Sequence, residues 1–117
     1  MSDTNGMSLS SDVPIPVQRF IDATNAGDAE ALTSAFTQDA FLSDCGREFH
    51  GHDGVSAWDR TDNIGEGSHF DLLGVKPGDT PQEVVVTVMV TGEGFTGTSD
   101  LAFTLRGESI SRLVIAP

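Results

Sequence analysis

The sequence has little positive charge. Six Lys and Arg residues stand against 18 Asp and Glu residues in 117 positions, which gives a formal net charge of -12 at pH 7. A surface of this sign repels nucleic-acid phosphates and anionic lipids. We therefore predict that neither nucleic acid nor a membrane surface is a partner. The same acidity is equally typical of a solubility or high-salt adaptation.

Cysteine and long apolar runs are also scarce. Cys45 is the single cysteine, which excludes an intramolecular disulfide. No apolar run approaches the ~20 residues that span a bilayer, and residues 1–12 lack the basic and apolar regions of a secretory signal. We therefore expect a cytoplasmic location. The length predicts one domain, with residues 1–12 as a flexible N-terminal segment and 13–117 as the folded part.

Helical patterns dominate the first half of the chain. Val17, Phe20 and Ile21 form an apolar stripe at helical spacing, and Gly27 is typical of a helix end. Asp28 is placed to cap the next helix. The predicted helices cover about 14–25, 29–37 and 52–63.

Strand patterns dominate the second half. Predicted strands cover 39–45, 69–75, 83–91, 98–106 and 109–116, with a short hairpin arm near 47–49. The run Glu83–Thr91 is apolar on both faces, which predicts a central strand buried on both sides. On the first strand, Leu42 and Asp44 share one face. The pattern indicates an α+β domain with helices on one face of a curved sheet.

This element order is similar to that of the nuclear transport factor 2-like superfamily, which includes ketosteroid isomerases and SnoaL-type polyketide cyclases. The segments that carry the resemblance include Asn25-Ala-Gly-Asp28 and Gly51-x-x-Gly-Val55-x-x-Trp58. The resemblance extends over about 13–116. It implies a single SnoaL-like or ketosteroid isomerase-like domain over 13–117, a cone-shaped curved mixed β-sheet wrapped around three N-terminal helices.

The resemblance also implies candidate catalytic residues. The segment Ala40-Phe-Leu-Ser-Asp44 resembles the isomerase strand that carries the general base, which implies that role for Asp44. The late acidic residue of the isomerase resembles Asp100, although strand alternation lets Asp100 face either the pocket or a partner subunit. The isomerase's tyrosine donor falls on Phe20, and the chain contains no tyrosine.

Other residues are candidates for the same pocket. Asp59 is a candidate second acid, with a solvated helix face as the alternative. Four residues are expected to line the pocket: Phe20, Leu42, Trp58 and His69. For Trp58 the alternative is a place in the core, and for His69 a structural role. His50-x-His52 followed by Asp53 has the residue types of a zinc or iron site, but these positions also suit a helix start. We predict no metal and no cofactor.

Two functions remain open at this stage. One is an isomerase, cyclase or dehydratase in which the Asp44 carboxylate moves a proton of a small hydrophobic carbonyl compound. The alternative is a non-catalytic ligand-binding or dimerisation module of the same fold. A homodimer through the sheet is predicted, because Val84, Val86, Val88 and Val90 cannot share the inner face with Val85 and Met89.

Overall fold

The computed structural model of the protein describes residues 13–116, so the predicted flexible segment 1–12 lies outside the described residues. Two helices, a two-stranded hairpin and a third helix come first, and a run of four strands follows the 3-10 turn. In chain order the elements are α1 (Ile15–Ala26), α2 (Ala29–Ser34), β1 (Phe36–Asp44), β2 (Arg47–His50), α3 (Gly51–Asp62), a 3-10 turn (Ile64–Glu66), β3 (His69–Pro77), β4 (Glu83–Thr91), β5 (Gly97–Arg106) and β6 (Ser109–Ile115).

The six strands form one mixed sheet in the order β2-β1-β6-β5-β4-β3. The β1–β6 pair is parallel, and all other neighbours are antiparallel. Parallel strands need a long connection between them. The segment between β1 and β6 provides it, because it contains β2, α3 and the strands β3–β5. The α+β prediction of three helices and a curved mixed sheet is confirmed.

The first helix follows its sequence pattern closely. Val17 and Phe20 are fully buried against the sheet, while Ile15 on the opposite side is 56% exposed. Gly27 ends α1 in the left-handed conformation. Asp28 caps α2 by accepting the Ala31 N–H at 3.1 Å. Between residues 13 and 116, no helix has the length and apolarity needed to cross a membrane.

The boundary between α2 and β1 differs from the prediction of a helix over about 29–37. The helix ends at Ser34, and the strand already begins at Phe36. Phe36 pairs with Ile110 of β6, and the Ile110 N–H donates to the Ala35 carbonyl at 2.8 Å. Phe36 continues the apolar spacing of the helix but belongs to the strand, because pairing with a distant strand outweighs the local helical preference.

The start of α3 explains the two glycines of the Gly51-x-x-Gly54 motif. Gly51 has a φ of +70°, in the left-handed region. A Cβ atom on Gly54 would lie 3.0 Å from the Phe49 backbone carbon, so only glycine allows α3 to pass this close to β2. The motif thus fixes how the hairpin arm turns into the helix that carries Trp58.

The two faces of the sheet are not equally covered. On β4, Val86, Val88 and Val90 are buried beneath the helices, whereas Val85 and Met89 alternate onto the outer face and are only half-buried. The prediction of a strand buried on both sides is therefore wrong for the single chain, because the helices cover one face only. The outer positions are left to solvent or to a partner.

Candidate functional site

Asp44 stands at the end of β1, immediately before a tight hairpin turn. Cys45 and Gly46 have φ angles of +53° and +88°, the values of a type I′ turn. Cys45 is the only non-glycine residue with positive φ among residues 13–116. The turn pairs Asp44 directly with Arg47 of β2. Asp44 and Arg47, three positions apart in the sequence, thereby lie side by side at the end of the hairpin.

The Asp44 carboxylate is held by the single tryptophan. The Trp58 Nε1–H donates to Asp44 Oδ2 at 2.9 Å. Trp58 is only 2% exposed, while the Asp44 side chain keeps 20% of its surface in solvent. One carboxylate oxygen is therefore fixed from the protein side, and the group as a whole can still be reached from outside.

Arg47 lies between two carboxylates. Its Nη2 contacts Asp62 Oδ2 and lies 3.7 Å from Asp44 Oδ2. The hydrogen bond from Arg47 to Asp62 and the charge of that carboxylate raise the pKa of the guanidinium above its usual range, with Asp44 adding to the effect. Arg47 is thus a fixed cation beside Asp44. The Arg47 side chain is 59% exposed, so the guanidinium can be reached from solvent.

The adjacent thiol is suppressed as a nucleophile. Desolvation raises the pKa of Cys45, and the hydrogen bond and charge of the Asp44 carboxylate raise it further. A higher pKa leaves less of the reactive thiolate at neutral pH. The arrangement therefore offers a carboxylate and a guanidinium for chemistry, and not a thiolate.

Three of the predicted pocket residues form the core of the domain. Phe20 and Leu42 are fully buried and Trp58 nearly so. The Phe20 ring centroid lies 6.3 Å from Trp58 and 5.7 Å from Phe70, in stacked arrangements. Phe36 and Phe103 meet the same ring edge-on at 6.0 and 5.3 Å. Phe20, at the position of the missing tyrosine, therefore fills the centre of the cone with its ring.

Asp59 belongs to a separate polar cluster beneath α1. Its Oδ1 accepts the Asn63 Nδ2–H at 3.0 Å, and Asn63 Nδ2 also donates to Thr24 Oγ1 at 3.0 Å. The Ile64 N–H completes the set at 3.3 Å from Asp59 Oδ1. Burial raises the pKa of Asp59, and the hydrogen bond from Asn63 offsets part of that rise. Asp59 thus ties the end of α3 to α1.

Asp100 and His69 are not brought together with Asp44. Asp100 lies on the outer face of β5, where it accepts the Thr87 hydroxyl at 2.7 Å. Its neighbour Leu101 is the residue that points inward, 2% exposed. His69 is exposed at the start of β3, with Nε2 3.4 Å from Asp71. Strand alternation turns both side chains to the outer face, opposite the buried Leu101 and Phe70.

The histidines near α3 are used separately. His52 Nε2 lies 2.8 Å from the Phe36 carbonyl oxygen, and His50 Nε2 lies 3.7 Å from Glu48. Among residues 13–116, no three His, Cys, Asp or Glu side chains converge as a metal site would require. His52 instead fastens the first turn of α3 to the start of β1.

Arg47 and Asp62 are the site residues that sequence reasoning missed. Two signals for them were present. Trp58 and Asp62 are spaced i, i+4, so they share one face of α3. The pair Cys45-Gly46 between two short strands is compatible with a two-residue turn that sets Arg47 opposite Asp44.

Two shallow depressions lie away from this site. One of about 480 Å3 follows the outer side of α1 and α2 and includes Arg19, Asp22 and Asp28. The other, of about 430 Å3, continues along α1 from Val13 to Asp22. Neither is lined by Asp44, Arg47 or Trp58, so these two depressions are separate from the candidate site, which is the rim around Asp44.

Solved structures of other proteins share the fold. A Sinorhizobium meliloti protein provisionally named a polyketide cyclase is 26% identical, with a TM-score of 0.82 over 91% of this chain and 97% of that one. A Catenulispora acidiphila protein with a ketosteroid isomerase-like fold, solved with trimethylamine, is 22% identical, with a TM-score of 0.75 over 90% and 86%. A computationally designed 17-OHP binder is 18% identical, with a TM-score of 0.76 over 88% of each chain.

Family-level comparison agrees with these structures. No curated protein matches the chain significantly. The sequence profile of the SnoaL-like domain matches residues 17–113, which run from the first buried turn of α1 to the middle of β6. The matched region contains Asp44, Arg47 and Trp58, and the fold and the family profile identify the same unit. The chain belongs to the SnoaL-like domain family.

Proposed function

We propose that the protein is an isomerase, cyclase or dehydratase in which Asp44 is the general base toward a small hydrophobic carbonyl compound. The single observation that carries the proposal is the Asp44 environment. Its carboxylate is fixed by the buried Trp58 indole and keeps a fifth of its side-chain surface in solvent. A base that is oriented and reachable has the first requirement for proton abstraction.

The neighbours of Asp44 support a proton-transfer role over a nucleophilic one. The Trp58 N–H fixes one carboxylate oxygen at 2.9 Å, which leaves the other oxygen to take a proton from a carbon acid. The thiol of Cys45 is held protonated by its raised pKa. The similar Sinorhizobium meliloti structure, provisionally named a polyketide cyclase, supports a carbonyl substrate, because polyketides are built of repeated carbonyl groups.

The test is hydrogen exchange on a panel of neutral ketones, such as 2-pentanone, cyclohexanone and methyl levulinate, followed by proton NMR in deuterium oxide. We expect the wild-type protein to accelerate loss of the protons next to the carbonyl, and Asp44→Asn to abolish the acceleration. Asp71→Asn is the matched control, since this carboxylate is exposed on β3, remote from the Asp44 turn. Equal exchange by wild type and Asp44→Asn would reject the role.

A second function, a non-catalytic dimerisation module, is favoured by the filled interior. The Phe20 ring has no exposed surface and touches four aromatic neighbours. An apolar ligand inside the cone would have to displace it. Phe20→Ala opens this space, at a stability cost of about 3–5 kcal/mol. If the wild-type interior stays filled, hydrophobic ketones should give a thermal shift in Phe20→Ala, whose new cavity can take an apolar molecule, and none in wild type. A thermal shift of wild type would contradict the filled interior.

We further propose a homodimer through the outer face of the sheet. Val85, Met89, Ala102 and Val114 are apolar, lie on this face and are only half-buried within one chain. A second copy would remove these side chains from water. Light scattering at micromolar concentration should give twice the mass of one chain. Val85→Lys should shift the mass to that of one chain, and Ile15→Lys on the helical side should not.

A further inference from the structure

The proposed function leaves one chemical requirement open. When a base removes a proton next to a carbonyl, the electron pair of the broken C–H bond forms a carbon–carbon double bond, and the π pair of the carbonyl moves onto its oxygen, which becomes negative. An enzyme stabilises that oxygen with a positioned donor. Phe20 occupies the position where the related isomerases are expected to carry a hydroxyl, and its ring has no donor. Another group near Asp44 must supply it.

We propose that Arg47 is this donor and that the site takes an uncharged ketone or ester. This inference rests on the proposed function of Asp44. Arg47 and Asp44 are paired across the type I′ turn, with Nη2 3.7 Å from the carboxylate. In a ketone the acidic carbon is bonded to the carbonyl carbon, so the base and the donor must stand side by side. The hairpin turn provides this arrangement.

The guanidinium has donors to spare. Arginine carries five N–H groups in a fixed plane, and both of its carboxylate contacts here use Nη2. The side chain is 59% exposed, which leaves the other N–H groups available to a ligand at the rim. Asp62 fixes the guanidinium from the side of α3, so the donor is oriented before a ligand arrives.

The turn that brings the pair together has a conformational cost. Cys45 adopts φ +53°, a left-handed conformation that L side chains seldom occupy. Glycine there would avoid that cost. The hairpin keeps Arg47 opposite Asp44 in spite of it, and the Trp58 indole restrains the same carboxylate from the other side.

Charge determines which substrates fit. Asp44 and Asp62 carry two negative charges against the single positive charge of Arg47, within a chain of net charge -12. A ligand that is already an anion is repelled by this surplus. A neutral carbonyl is accepted, because its oxygen becomes negative only in the transition state, next to the guanidinium.

The protons and electrons of the proposed reaction balance with Asp44, Arg47, the substrate and solvent water. Asp44 accepts the proton of the C–H bond and becomes a carboxylic acid. The bonding electrons form the carbon–carbon double bond of an enolate, whose oxygen accepts N–H groups of Arg47. The acid, which is reachable from solvent, exchanges its proton with the solvent and delivers a solvent-derived proton to the same carbon, which gives hydrogen exchange. Delivery of the proton to a conjugated carbon instead gives an isomer. No oxidant or co-reactant is required.

The test compares methyl levulinate with levulinate, its anionic counterpart, by exchange of ketone-adjacent protons in deuterium oxide. We expect wild type to act on the ester at least about tenfold faster than on the anion. Arg47→Gln should reduce exchange of the ester by about 10²-fold, the scale of losing one oxyanion donor. Arg47→Lys should recover part of it. Arg106→Gln, which removes an exposed arginine paired with Asp39 on another surface, should change nothing.

Each outcome separates the two proposals. Exchange lost in Asp44→Asn but unchanged in Arg47→Gln overturns the role of Arg47 and leaves Asp44 as the base. Exchange of levulinate equal to that of the ester overturns the preference for a neutral substrate. Exchange that is absent in wild type, or unchanged in Asp44→Asn, rejects the proposed function and with it this inference. Circular dichroism of each variant establishes that a lost rate is not lost folding.

Discussion

Asp44 and Asp59 are two carboxylates positioned by one helix, and their surroundings differ in every respect. Trp58 of α3 donates to Asp44, and the next residue is Asp59 itself. Asp44 is reachable from solvent and lies beside a guanidinium. Asp59 is 1% exposed and is held by the neutral donors Asn63 and Ile64. Two consecutive residues of α3 therefore have different roles: Trp58 holds the candidate site, and Asp59 belongs to the hydrogen-bond cluster that links α3 to α1.

The difference teaches which carboxylate is available for chemistry. A group for proton transfer has to be reached by the substrate and regain its protonation state in each cycle. Asp44 meets both conditions at the rim. Asp59 is enclosed, so a raised pKa there reports burial and not catalysis. The raised pKa of Asp59 therefore does not make it the better candidate for the general base.

The largest loss of stability should follow from removing the Asn63 hydrogen bond to Asp59. Asn63→Ala removes the hydrogen bond to Asp59 Oδ1 and the link to Thr24. The carboxyl then stays buried with one fewer partner, which we expect to cost about 2–4 kcal/mol in the free energy of unfolding. Urea denaturation measures it, with Thr61→Ala on the exposed face of α3 as the control. A loss no greater than that of Thr61→Ala would show that the joint does not need Asn63.

Breaking the equivalent bond at Asp44 should cost less. Trp58→Phe removes the indole N–H, but water can reach the carboxylate and replace it. We expect a destabilisation of about 1–2 kcal/mol. Combining this change with Asp44→Asn in a double-mutant cycle isolates the pair, and a coupling of about 1 kcal/mol is expected. Additive effects of the two changes would mean that the hydrogen bond contributes nothing measurable.

The pH dependence of stability sharpens the comparison further. Burial raises the folded-state pKa of Asp59 above its unfolded value. The folded state then holds the proton more tightly, so the contribution of the protonated group is present at low pH and is lost as pH rises through the folded pKa.

Asp59→Asn removes this titration. We expect the variant to be about 1 kcal/mol more stable than wild type at pH 8, with the difference shrinking as pH falls to about 3, below the ordinary pKa of about 3.9 at which the unfolded-state carboxyl takes up its proton. Thermal unfolding across this range measures it. A stability difference that does not change with pH would contradict the raised pKa.

The smallest effect concerns the thiol next to Asp44. The Asp44 carboxylate helps to raise the pKa of Cys45, so Asp44→Asn should increase the thiolate fraction. We expect alkylation by iodoacetamide at pH 8 to become about threefold faster. Asp71→Asn should leave the rate unchanged. A slower reaction in Asp44→Asn would mean that the turn itself, and not the charge, protects the thiol.

The fold was largely predictable because local patterns and long-range packing agree. The stripe Val17, Phe20 and Ile21 predicted α1, and Asp28 predicted the start of α2. The disagreement falls at Phe36, where helical spacing continued past the true helix end. Its pairing with Ile110, 74 positions further on (110 minus 36), determines the strand. No local signal reports a partner so far away in sequence.

The candidate site was predictable only in part. The family resemblance and strand parity identified Asp44 and its inward face, and Trp58 was expected beside it. The sequence alone could not show that the Trp58 N–H donates to Asp44, or that Arg47 lies beside Asp44 across the turn. Those contacts depend on the angle at which α3 leaves β2, which is set by the close packing of Gly54 on Phe49.

The sequence alone determined the family, the α+β order and the absence of a tyrosine donor, because these are properties of residue type and periodicity. The tertiary structure decided that the Phe20 ring fills the cone, that Asp59 is a structural carboxylate and that Asp100 faces outward. It also decided that Asp44 meets Arg47 at the rim. The physical reason is that burial and charge pairing belong to surfaces in contact, and those surfaces exist only once the helices lie on the sheet.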